Sequence, residues 1–183
     1  MNIANKLTLS RVAMIPAFLF LFWFPPFGVY GRYAAAGVFI LAAFTDYLDG
    51  ALARRYGLIT NFGKFMDPLA DKLMVCAALV ALTGTGEINA WVTIFIVSRE
   101  FIVTGVRLIA AEQGVVIAAD RLAKLKTVVQ IITVAFYIFG FQNLFSFLKY
   151  AGFVLLGLTV LLTVASACGY IIKNIGLFKK GEL

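Results

Sequence analysis

The chain has 183 residues, of which 62 % are hydrophobic and only 14 % charged, and its formal net charge is +7. Soluble domains carry about a quarter charged residues, so the composition excludes an ordinary water-soluble globule and suits a single membrane-embedded domain over residues 1–183. The surplus cations flank long apolar runs, which points away from nucleic acid and toward anionic lipid headgroups and phosphate-bearing substrates.

In chain order, Lys6 and Arg11 sit among Ile3, Leu7 and Leu9, and this predicts an interfacial helix over about residues 2–10. Residues 12–31 carry no charge, and a first span is expected over 12–30, bounded by Arg11 and Arg32. Pro16 and the Pro25–Pro26 pair predict a kink and an early end. A secretory signal peptide is the competing reading, but the apolar run is long for one and no small-residue cleavage site directly follows it. A second span covers 33–55 and ends in polar sequence. Gly57, Asn61 and Gly63 mark a short connection. The third span is expected over 67–84, with Pro68 in its first turn. The run Gly84-Thr85-Gly86-Glu87 makes the next turn. A fourth span covers 88–111, interrupted by Arg99, Glu100 and Arg107. A polar loop leads into a fifth span over 124–145, and a sixth covers 150–172 before a basic, frayed tail. The fold class is therefore all-α: a polytopic bundle of six transmembrane helices with an N-terminal interfacial helix. Cys76 and Cys168 both fall inside apolar segments and read as small packing residues, not a disulfide.

Four of the nine acidic residues lie between Asp46 and Asp71, where the second span ends and the third begins. Carboxylates at membrane depth are expensive and mark functional sites. Asp46 and Asp49 are spaced i, i+3, and Asp67 and Asp71 are spaced i, i+4, so each pair shares a helix face about one turn apart. Two such pairs on neighbouring helices can converge, and four carboxylates that close require compensating cations. The chain has no histidine, so the ligand set is all oxygen, which favours Mg²⁺ or Mn²⁺, with Ca²⁺ as a further candidate, over Zn²⁺. Gly50 and Gly63 remove side chains where a ligand must approach the backbone, and Arg54 supplies a forked cation for phosphate. That is the equipment a diphosphate substrate needs. The bland alternative is a set of helix caps and loop-end charges.

The pattern D-x2-D-G-x2-A-R-x8-G-x3-D-x3-D resembles the signature of the CDP-alcohol phosphotransferases, membrane enzymes of phospholipid synthesis, and meets every fixed position. Asn5-x2-Thr8-x2-Arg11, Arg99-Glu100-Phe101 with Thr104-Gly105-x-Arg107, and Lys124-x-Lys126-Thr127 extend the resemblance to the branch that makes phosphatidylglycerophosphate. The resemblance implies that Asp46, Asp49 and Asp67 hold one metal ion, that Asp46, Asp67 and Asp71 hold a second, and that Asp71 is the general base. It assigns Asn5, Thr8, Arg11, Gly50, Ala53, Arg54, Thr60 and Gly63 to CDP-diacylglycerol, and it suggests a homodimer. Asn5 and Thr8 can equally be helix caps.

Arg107, Lys124 and Lys126 form a candidate pocket for the phosphate of an acceptor alcohol. Glu100, Thr104 and Arg107 share one helix face and should turn to the protein interior. An internal ion pair explains that face as well, and membrane-flanking anchors explain the two lysines. Tyr170 either enters the same cavity or sits at the interface. Three cations favour sn-glycerol 3-phosphate, with inositol phosphate as the alternative and serine disfavoured because it brings no phosphate. A cation transporter competes as a class, but the acidic residues gather at one face and no inverted repeat is visible. With six spans, twelve Lys and Arg fall on the side of the termini and only Arg32 and Lys149 opposite, so the termini and the aspartates are expected at the cytoplasmic face of the cell inner membrane.

Overall fold

Long apolar runs must satisfy their backbone groups internally when water is absent, and the helix does this within one segment. The structure is a computed structural model that describes residues 3–56, 61–112 and 121–179, with side chains described over 9–45, 69–110 and 121–172 apart from Pro25, Asp71 and Ile171. Its helices are α1 (Ile3–Trp23), α2 (Gly28–Tyr56), α3 (Asn61–Gly84), α4 (Ala90–Glu112), α5 (Arg121–Phe139) and α6 (Ser146–Lys179), with short 3-10 turns at Pro25–Phe27 and Phe141–Asn143. Among the described residues there is no strand.

Several helix ends differ from the expected ones. The interfacial helix and first span are one helix, α1, because nothing between Ile3 and Trp23 forces a break. Pro16 is carried inside it, at the cost of one amide donor. The Pro25–Pro26 pair does end it. Gly28, with φ of 46°, then reverses the chain. Gly31 lets the returning helix come close: a Cβ there would lie 2.5 Å from the Leu21 carbonyl oxygen. Helix α3 begins at Asn61, so Asp67 and Pro68 lie within it and not at its start. Helix α5 stops at Phe139, because Gly140 takes the left-handed conformation, with φ of 76°. Helix α6 runs through the basic tail to Lys179, where a frayed end was expected.

The core joins Phe18 and Phe22 of α1 to Ala35, Ala36, Phe39 and Ala42 of α2, to Met74, Ala78, Leu79 and Leu82 of α3, and to Val134, Tyr137 and Ile138 of α5. Alanines at the crossings let backbones approach closely, as membrane helix pairs require. Hydroxyls tie helices across the bundle: Thr83 to Thr93 at 2.6 Å joins α3 to α4. Thr133 to Thr159 at 2.9 Å joins α5 to α6. At the end of the bundle where α3 turns into α4, Arg32 forms a two-pronged ion pair with Glu87 at 2.6 and 2.8 Å. The same guanidinium donates to the carbonyls of Tyr137 and Ile138, closing the open end of α5. Gln142 adds a hydrogen bond to Glu87 at 2.7 Å. Neither cysteine forms a disulfide; Cys76 is buried and Cys168 exposed.

The outward surface is apolar: Phe20, Ile40, Leu41, Ile132, Val154 and Leu161 are all exposed. A soluble monomer does not leave so much contiguous apolar surface in water. Gly28–Thr45, Arg121–Phe139 and Ser146–Tyr170 are each long and apolar enough to cross a bilayer. Leu9–Trp23 and Lys72–Gly84 are shorter apolar stretches, and α4 carries four charged residues, Arg99, Glu100, Arg107 and Glu112. The molecule is a helical membrane protein.

Candidate functional site

The two aspartate pairs fall on successive helices. Asp46 and Asp49 belong to the last third of α2, Asp67 and Asp71 to the first half of α3, and the two helices pack against each other. Residues 57–60 between them, and the aspartate side chains themselves, lie outside the described residues. Helix rise sets the levels. Asp49 stands seven residues before the end of α2 at Tyr56, and Asp67 six residues after the start of α3 at Asn61, which is about 10 and about 9 Å along the axes. Asp46 and Asp71 are each ten residues from the same ends, about 15 Å. In an antiparallel pair the four positions fall on two matched tiers. The donors are carboxylates alone, a set that suits Mg²⁺ or Mn²⁺. Among the described side chains no group of three or more acidic or thiol ligands forms another candidate.

Gly50, Ala53 and Arg54 occupy the last turns of α2 and Gly63 the first turn of α3. Asn5 and Thr8 lie in the first turns of α1, and none of these side chains is described. Thr60 lies outside the described residues altogether. Arg11 is described and is 3 % exposed, a guanidinium drawn into the bundle and away from lipid.

Beside α3 the structure shows a polar cavity of about 180 Å³ between α3, α4 and α5. Lys72, Arg99, Glu100, Thr104, Arg107 and Lys124 supply its polar walls. Glu100 and Thr104 are buried, as their shared face with Arg107 required. Glu100 is clasped from three helices. Lys72 approaches its Oε2 at 3.3 Å, Arg99 its Oε1 at 3.2 Å, and Lys126 donates to the same Oε1. Arg99 also donates to Ser166 of α6 at 2.7 Å. The Arg107 guanidinium lies 5.5 Å from the Tyr170 ring centroid, which brings Tyr170 to the cavity's edge by a cation–π contact. An apolar cleft of about 790 Å³ between α4 and α6 adjoins this cavity through Arg99 and Val103 and opens toward the lipid-facing surface.

The structure thus brings Arg107, Lys124 and Tyr170 together, and separates Lys126 from them. Lys126 is 2 % exposed and lines a smaller void of about 30 Å³ below the main cavity, alongside Gln130. Sequence reasoning missed Lys72 as a wall of this cavity. It directly follows Asp71, so the cavity abuts the helix that carries half the acidic cluster.

The comparisons with known proteins point the same way. The model of the family described as CDP-alcohol phosphatidyltransferase matches residues 1–165. The chain is 48 % identical over 146 residues to the CDP-diacylglycerol–glycerol-3-phosphate 3-phosphatidyltransferase of Bacillus subtilis, covering 73 % of this chain and 75 % of that one. It is 39 % identical over 173 residues to a probable phosphatidylglycerophosphate synthase of Mycobacterium tuberculosis, covering 94 % and 81 %. It is 37 % identical over 175 residues to the CDP-diacylglycerol–glycerol-3-phosphate 3-phosphatidyltransferase of Escherichia coli, covering 93 % of each. The match spans the aspartate signature, the helices that carry it and the cationic cavity beside it, and the chain belongs to the CDP-alcohol phosphatidyltransferase family.

Proposed function

We propose that this protein transfers a phosphatidyl group from CDP-diacylglycerol to sn-glycerol 3-phosphate, releasing CMP and forming phosphatidylglycerophosphate. The observation that carries the choice of acceptor is the cavity that Arg107 and Lys124 line, next to the helix of Asp67 and Asp71. Such a cavity suits an acceptor that brings a phosphate of its own. The relatives' names agree with that choice.

Asp46, Asp49 and Asp67 would hold one ion and Asp46, Asp67 and Asp71 a second. Two Mg²⁺ or Mn²⁺ ions at such a site supply neutralisation of the diphosphate and polarisation of the attacked phosphorus. The chain's own groups do the rest. By family resemblance Arg54 and Arg11 are assigned to the donor's phosphates, and Asn5, Thr8, Ala53 and Thr60 to the same substrate. Gly50 and Gly63 leave room for the diphosphate against the helix backbones. Arg107 and Lys124 orient the acceptor by its phosphate, with Tyr170 backing the guanidinium. Asp71 takes the proton from the acceptor hydroxyl as its oxygen bonds to the phosphorus bearing the diacylglycerol. The bond from that phosphorus to the CMP oxygen breaks, and CMP leaves with the pair. Lipid tails reach the site sideways from the bilayer.

The six helices cross the inner membrane with both termini in the cytoplasm, an orientation supported by twelve flanking cations on that side against two opposite. The site then opens where nucleotides and sugar phosphates are found. A homodimer is the working unit that the family resemblance suggests. The test is CMP release from CDP-diacylglycerol by the purified protein with each acceptor in turn. Turnover is expected with glycerol 3-phosphate and not with serine; turnover with serine and none with glycerol 3-phosphate overturns the assignment.

A further inference from the structure

We infer that Glu100 is a positioning residue that fixes where an acceptor phosphate docks, by ordering the cations at the cavity floor and barring an anion from them. This rests on reading the cavity as the acceptor's phosphate site. Glu100 precedes Arg107 by seven residues on one face of α4, about 10 Å along the axis, so the two mark opposite ends of the cavity. At the outer end stand Arg107 and the exposed Lys124, in the first turn of α5. At the floor Glu100, 7 % exposed, meets Lys72, Arg99 and Lys126.

One carboxylate needs one or two partners to be satisfied; here three cations from α3, α4 and α5 converge on it. Packing alone does not require the third. Lys72, the residue that follows Asp71, ties the floor to α3. The floor is thereby held together and carries a carboxylate facing the cavity. A phosphate meets Arg107 and Lys124 at the outer end, where no carboxylate stands among the described residues, whereas at the floor Glu100 already engages Lys72, Arg99 and Lys126 and an anion would have to displace it. The acceptor is left with its charged end outward and its hydroxyl end inward, against α3. The floor accordingly selects an uncharged polyol end, and an acceptor carrying a second anion there meets Glu100.

The experiment measures inorganic phosphate binding to the full-length protein in detergent by calorimetry, together with separate KM values for glycerol 3-phosphate and CDP-diacylglycerol. Glu100→Gln removes the carboxylate that Lys72, Arg99 and Lys126 share and one negative charge from the cavity that Arg107 and Lys124 also line. It is expected to tighten phosphate binding about tenfold, the order one uncompensated charge gives in a partly solvated cavity. Meanwhile kcat with glycerol 3-phosphate falls and the KM for CDP-diacylglycerol stays within about twofold, because phosphate now settles at the floor out of register. Lys126→Met leaves Glu100 less compensated and is expected to weaken phosphate binding; should Glu100→Gln fail to fold, this opposite shift carries the test. Unchanged or weaker phosphate binding in Glu100→Gln, unchanged or tighter binding in Lys126→Met, or equal changes in both KM values overturns the proposal. A wild-type protein that binds phosphate with these opposite shifts yet never uses glycerol 3-phosphate defeats the transfer reading and leaves the role of Glu100 standing.

Discussion

Asp71→Asn is expected to lower kcat by about 10³-fold while CDP-diacylglycerol still binds. A positioned base contributes about 10²–10⁴-fold to a proton transfer. Asparagine keeps the shape and one oxygen but cannot accept the proton. Asp71 stands on the upper tier of the α3 pair, level with Asp46 across the hairpin, and directly before Lys72 on the wall of the acceptor cavity. It is the one aspartate whose neighbour in sequence lines that cavity. CMP release under saturating substrates measures kcat, and equilibrium binding of the CDP-diacylglycerol donor measures the other half. Loss of donor binding equal to the loss of kcat would make Asp71 a metal ligand alone, and full activity would remove it from the reaction.

Arg107→Ala is expected to raise the KM for glycerol 3-phosphate about 100-fold, close to 3 kcal/mol, with little change in the KM for CDP-diacylglycerol. The guanidinium stands at the cavity's outer end, ordered by the Tyr170 ring 5.5 Å away, and is therefore oriented before the phosphate arrives. Arg107→Lys should recover only part of the loss, because a lysine lacks the planar fork that meets two phosphate oxygens and stacks on the ring. Lys124→Ala should cost less, since Lys124 is exposed and its charge partly screened. Steady-state kinetics with each substrate varied in turn checks this; equal rises in both KM values would show a general loss of structure.

Apolar run length and the charges that interrupt it made the helices legible, and the aspartate spacing marked the candidate site. The ends were harder, because they rest on single residues. A left-handed Gly140 stops α5, while an equally ordinary Gly63 sits inside α3. Nothing in the composition of residues 173–179 signals that α6 continues through them. Glu100, Thr104 and Arg107 were correctly read as inward-facing, since a charged helix face in lipid is costly. Grouping Lys124 with Lys126 neglected that residues two apart on a helix point about 200° from each other. The structure accordingly exposes the first and buries the second against Glu100. Lys72 escaped notice because its value lies in the register of α3 against α4, which no local pattern in the sequence carries.

Mn²⁺ titration of the purified protein, followed by electron paramagnetic resonance, tests most directly whether the carboxylates of α2 and α3 share one cation site. Asp49→Asn on one helix and Asp67→Asn on the other are each predicted to weaken Mn²⁺ binding at least about tenfold. Wild-type affinity in either variant would contradict a site built from both helices.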